Sequence, residues 1–190
     1  RWPYCHRPLH YAWKRLDGSG AVIARVDSIS GENLWNTSAG LMIRETLAPD
    51  SHNVFVKILS DFNGLEFGYQ PYPGEFDCTA TVAWDYTGMD LPLWLKLERG
   101  PHDSFTAFYA DDVTGSPGPW TELGSVDLPI AFVAYAGLAV TPRLDRATPV
   151  EAVFSGVSIS GIVMDRSFTS ADVGDNDPQR IYVELEDAAA

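Results

Sequence analysis

Between Leu9 and Leu47 apolar and polar residues trade places almost one for one, along LHYAWKRL, then AVIARVDSI, then AGLMIRETL. Successive side chains of a strand point to opposite faces, so a period of two marks extended chain with a buried face. A helix would repeat every three to four residues, and no stretch longer than a turn or two does so. The tetrapeptide Asp17-Gly18-Ser19-Gly20 reads as a turn that joins the first two runs into a β-meander. Further strand-like runs follow in short steps: HNVFVKIL from His52, LEFGYQPY, FDCTATVAWDY, LWLKLERG, SFTAFYA, Trp120 to Leu128, IAFVAYAGLAV and VEAVFSGVSISGIV. Gly, Pro, Asn and Asp sit between them, as in sandwich sequences. The expectation is an all-β, antiparallel two-sheet sandwich with very little helix. Its core is drawn from Val22, Ile23, Val26, Leu41, Ile43, Val54, Val56, Leu65, Phe67, Leu95, Leu97, Phe105, Ala107, Val133, Tyr135, Gly137, Leu138, Val140, Val153 and Phe154. Neighbours in that set cannot all face one way, so some of these pairs must be off by one register.

Composition narrows the partners. The chain of 190 residues is 45% hydrophobic, enough for one sizeable core, and its net charge is −13. A phosphate backbone would be repelled, which argues against nucleic acid. No run of 18 apolar residues occurs, so no helix of this chain is expected to span a membrane.

The wording of the strands carries more than their period. LHYAWKRLDGSG, AVIARVDSI and AGLMIRETL, followed in order by the run Trp94–Arg99, FTAFYADD, AYAGLAVT and VEAVFSGVSI, resemble bacterial secreted modules of the concanavalin A-like lectin/glucanase superfamily, the laminin-G-like jelly rolls. The resemblance covers roughly four-fifths of the chain. It implies a concanavalin A-like jelly roll and an extracellular or cell-surface location. Function is less constrained, because lectins, hydrolases and adhesive spacers share this fold.

The chain reads as a piece of something larger, with a jelly-roll domain over 1–162 and an acidic linker plus terminal strand over 163–190. The segment Asp165 to Asp177 is polar and reads as the linker. The alternating run RIYVELED, from Arg180, must then pair with its own sheet, add to the edge of another copy, or open a following domain. Cys5 and Cys78 fit no zinc or haem spacing, and either bridge the N-terminus to a central strand or stand as two separate thiols.

Catalytic signatures are missing. Jelly-roll glucanases carry paired glutamates on one strand, as E-x-D-x-x-E, because retaining chemistry needs two carboxyls about 5 Å apart. Here Glu151 stands alone, Glu184 and Glu186 lie in the tail, and Glu75 and Asp77 flank a turn. The four His residues are scattered. Related modules place a Ser-x-Asp-Gly-x-x-Trp turn where this chain has ADDVTGSPGPW. Asp112 there reads as a turn-bracing acceptor, with Asp111 and Asp112 as calcium ligands the alternative. Sugar recognition pairs an aromatic face with carboxylates and amides that bond hydroxyls. Trp35, Arg44, Tyr69, Trp84 and Tyr86 are the residues placed for it. Arg44 has a second reading, an ion pair with Glu66 across the strands. Two function classes follow: a non-catalytic carbohydrate-binding or adhesive module, or a structural subunit of an extracellular fibre or surface assembly that self-assembles by exchanging its C-terminal strand.

Overall fold

The computed structural model describes residues 9–31, 37–60, 64–71, 80–85, 88–142 and 150–173, and the backbone of 180–183. In chain order the strands are β1 Leu9–Ser30, β2 Ser38–Arg44, β3 Asn53–Leu59, β4 Gly64–Gln70, β5 Ala80–Asp85, β6 Leu93–Arg99, β7 Ser104–Val113, β8 Ser116–Pro117, β9 Thr121–Asp127, β10 Val133–Thr141, β11 Glu151–Val163, β12 Thr169–Val173 and β13 Arg180–Val183. Among the described residues the one helical element is a single 3₁₀ turn at Pro101–Asp103, and no helix is long and apolar enough to cross a membrane.

The first two runs are not a meander. They form one strand of 22 residues, β1. At about 3.3 Å per residue a straight strand of that length would reach about 73 Å, whereas a domain of this size is about 40 Å across. The strand must bend, and it does so at Asp17–Gly20, where its pairing with β11 slips register and Gly18 takes φ +71°. The Gly-rich tetrapeptide is thus a kink within a strand. On the N-terminal side of the bend β1 pairs with β10 and β12, and on the C-terminal side with β6 and β11.

That shared strand makes two sheets out of one hydrogen-bonded network. One sheet runs β5-β4-β3-β2-β10-β1-β12 and the other β9-β7-β6-β1-β11, with β13 beyond β11. The pairing is antiparallel except for β11 with β13, which run parallel. Even-numbered side chains of β1 (Ala12, Leu16, Val22, Ala24, Val26) feed the same core on both sides of the bend. They meet Leu41, Ile43, Val54, Val56, Leu65 and Phe67 of the first sheet and Leu95, Leu97, Phe105, Ala107 and Phe154 of the second. On the far side, a Cβ added to Gly124 of β9 would come within 3.3–3.6 Å of Phe67, Val82 and Ala83, so β9 closes against β4 and β5. The architecture is the all-β jelly-roll sandwich expected from the sequence.

Four residues expected in the core, Ile23, Val133, Tyr135 and Val153, are only partly buried. Each lies one position from a fully buried neighbour (Val22, Ala134, Ala136 and Phe154), the single-register error that period two allows. Gly137 lines the other face of its sheet, opposite Trp13. The stretch 165–177 also differs from expectation, because its Thr169–Val173 pairs with β1 as an edge strand. Its polar composition suits an edge whose outer side faces water. The terminal run pairs at Arg180–Val183 with β11 of its own chain.

Candidate functional site

The first sheet has a second face, and there the polar residues collect. Asp17, Ser38, Arg44, Asn53, Glu66 and Gln70 are all buried, and all share the strand parity that points away from the main core. Three cross-strand rows can be read from the register. One runs Trp13, Gly137, Met42, Phe55, Gly68, Thr81; a second Arg15, Tyr135, Arg44, Asn53, Gln70; a third Tyr11, Ala139, Gly40, Lys57, Glu66, Trp84. At the β1 end the face is apolar. The Tyr11 and Trp13 rings stack with centroids 5.5 Å apart, Tyr135 meets Trp13 edge-on at 6.4 Å, and Leu9, Met42, Phe55 and Val173 join them in a second cluster. The Tyr11 hydroxyl lies 2.9 Å from the Met42 carbonyl and 2.8 Å from that of Tyr135. Burial drives its ionisation far above the ordinary tyrosine range.

At the β5 edge the same face changes character. Trp84 is 46% exposed and lies in register with Glu66. The Glu66 carboxylate is 2.9 Å from Lys57 Nζ and accepts from the Thr81 hydroxyl at 3.2 Å. Lys57 in turn lies 4.5 Å above the Phe55 ring. An indole face, a held carboxylate, an ammonium and a hydroxyl therefore stand together at one sheet edge.

Arg44 is 1% exposed and is neither a surface ligand nor a partner of Glu66, which faces Lys57 instead. Its Nε donates to the Thr46 carbonyl at 2.9 Å and its Nη2 to that of Ala48, and Tyr11 lies beneath it at 5.8 Å. Burial lowers its pKa. Bonded in this way, the guanidinium pins the β2–β3 connection onto the sheet, where Thr46 N donates to Ser51 Oγ and Ser51 N to the Ala48 carbonyl. Beside it Asn53 Nδ2 donates to Gln70 Oε1 at 2.9 Å, and among the described residues the buried Gln70 Nε2 has no partner.

The other expected site residues scatter. Tyr69 shares parity with Leu65 and Phe67 and packs against the main core, on the face opposite Trp84. Trp35 and Tyr86, with Cys5 and Cys78, lie outside the described residues. Asp112 accepts from Trp94 Nε1 at 2.8 Å and from Gly115 N at 3.1 Å, and Arg25 Nε is 2.9 Å away. Burial works to raise its carboxyl, but the bonds from Trp94 and Gly115 and the charge of Arg25 outweigh this and hold it below the ordinary range. Its acceptor capacity serves the hairpin whose Thr114 and Gly115 both take positive φ. Asp111, next to it on β7, points to the opposite side of the strand, so the two carboxylates do not converge on one ion. Among the described residues no cluster of three or more metal-ligating side chains occurs.

The alternation of LEFG places Glu66 on one face of its strand, where the sequence suggests for it only a pairing with Arg44. Lys57 and Thr81 carried no sequence signal beyond their position on the polar side of a strand. Around Glu66 the cross-strand neighbours are Lys57 and Trp84, and along its own strand Gly64 and Gly68. None of these described neighbours carries a carboxyl, and Glu75, Asp77, Glu184 and Glu186 lie outside the described residues.

No family model matches the sequence, and no curated protein does. Among solved structures, a functionally unknown protein from Saccharomyces cerevisiae is similar with a TM-score of 0.56 at 15% identity, over 78% of this chain and 72% of that one. The carbohydrate-binding module CBM66 from Bacillus subtilis gives a TM-score of 0.45 at 15% identity, over 82% and 76% of the two chains. A prokaryotic β-1,3-1,4-glucanase (lichenase) from a mouse hindgut metagenome gives 0.41 at 11% identity, over 73% and 68%. At these identities the likeness is one of fold alone.

Proposed function

We propose that this chain is a non-catalytic, extracellular carbohydrate-binding module of the laminin-G-like kind, and that it engages a glycan at the β5 edge of the first sheet. The observation that carries this reading is the exposed Trp84 beside the Glu66–Lys57 pair. A pyranose offers a face of C–H groups and a rim of hydroxyls. An indole is a large, rigid apolar platform for the first, and a carboxylate, an ammonium and the Thr81 hydroxyl are partners for the second. The terminal strand pairs with β11 of its own chain, and this pairing lends no support to exchange between copies.

Affinity electrophoresis through native gels containing soluble polysaccharides tests the proposal. The expected result is retardation of the wild-type protein by at least one neutral polysaccharide and its loss in Trp84→Ala. An unretarded wild type across the panel, or a Trp84→Ala variant retarded as strongly, overturns it.

A further inference from the structure

At the bend of β1, three connections far apart in the sequence meet: Gly18–Ser19 in the bend, Gly100–Asp103 between β6 and β7, and Ile130–Phe132 between β9 and β10. They enclose an open cavity of about 320 Å³, at the small end of the range for ligand sites. Its framework is held by Arg99, whose side chain is almost fully buried. Arg99 Nη2 donates to Asp103 Oδ1 at 2.6 Å and to the Ala131 carbonyl at 2.9 Å. The Ile130 and Phe132 carbonyls are each 3.3 Å from the same guanidinium, and Gly18 N donates to Phe132 O at 2.8 Å. The cation is thus already shared among four acceptors, while Asp103 Oδ2 takes no hydrogen bond among the described residues.

Two further features single out this cavity. Phe132 is 64% exposed, yet its ring is laid over Gly18 so closely that a Cβ there would come within 2.9 Å of it. Only a residue without a side chain, at φ +71°, lets the ring lie there. His102 and Asp103 are successive non-glycine residues in left-handed conformation, φ 58° and 57°, a strain that tends to persist where a site over-determines it.

We propose that this cavity binds a single neutral pyranose, with its C–H face on Phe132 and adjacent hydroxyls on Asp103 Oδ2, the His102 imidazole and the Ser19 hydroxyl. An anion would meet the Asp103 carboxylate while Arg99 is already committed. A purely apolar ligand would desolvate Asp103 without replacing its hydrogen bonds. The site shares no residue and no strand with the Trp84 edge, so the two readings stand or fall separately.

Amide chemical-shift mapping on isotope-labelled protein, titrated with methyl glycosides of glucose, mannose, galactose and N-acetylglucosamine, tests the proposal. At least one sugar should shift the amides of Gly18–Gly20, Gly100, His102–Asp103 and Ile130–Phe132. Phe132→Ala and His102→Gly should each weaken that binding about tenfold or more, the second while relieving backbone strain, and Trp84→Ala should leave it unchanged. The proposal fails if no sugar moves those amides near saturation, if both cavity variants bind as the wild type does, or if Trp84→Ala removes the shifts.

Discussion

Gly156 decides where Trp94 can sit. It has φ +56°, and an added Cβ would lie 2.3 Å from the indole ring, which is the ring whose Nε1 bonds Asp112. Gly156→Ala therefore combines an unfavourable backbone with loss of a partly buried hydrogen bond, and should destabilise the fold by about 2 kcal/mol or more. Urea unfolding followed by tryptophan emission measures this. Asp112 has its own signature, in pH. Its folded pKa is depressed, so its contribution is full above the ordinary aspartate value of about 3.9 and is lost as pH falls through the lower folded value. Asp17, paired through both oxygens with Arg15, acts in the same direction, its carboxyl lowered first by the Arg15 bond. Melting temperature against pH should therefore fall below about 4, less steeply in Asp112→Asn than in the wild type; equal slopes would refute this. The turn-bracing role of Asp112 was legible because Asx side chains bond backbone locally. The role of Arg44 was not, because it depends on carbonyls presented by a loop whose path no periodicity reveals.

Among the elements, the strands themselves were readable and their connection was not. Asp17-Gly18-Ser19-Gly20 has the composition of a hairpin turn, and composition alone cannot distinguish a reversal from a kink. What decides it is that β10, β6, β11 and β12 all pair along β1, which is a tertiary fact. Thr169–Val173 resembles linker in the sequence for a related reason: an edge strand with one wet side carries little apolar signal. The terminal strand yields a direct prediction. Deleting Gln179 to Ala190 uncovers the far edge of β11, and should lower the melting temperature of a monomer by about 3–5 °C with no change in sedimentation. Lost assembly with an unchanged melting temperature would instead mean that this strand pairs between copies.

Over the whole molecule, 26 acidic residues against 13 basic ones give the net charge of −13, a field that repels polyanions and is screened by salt. The two proposed glycan sites lie at the β5 edge and at the bend of β1, and each has a carboxylate paired with a basic residue: Glu66 with Lys57, Asp103 with Arg99. Neutral sugars suit both, and acidic polysaccharides suit neither. The most direct test of a carbohydrate-binding function is a microarray that carries neutral and acidic glycans side by side, probed with the labelled chain at physiological salt. The expected result is signal on a subset of neutral glycans and none on sulfated or uronic acid-rich ones. Binding to no glycan at all, or to acidic glycans alone, would contradict it.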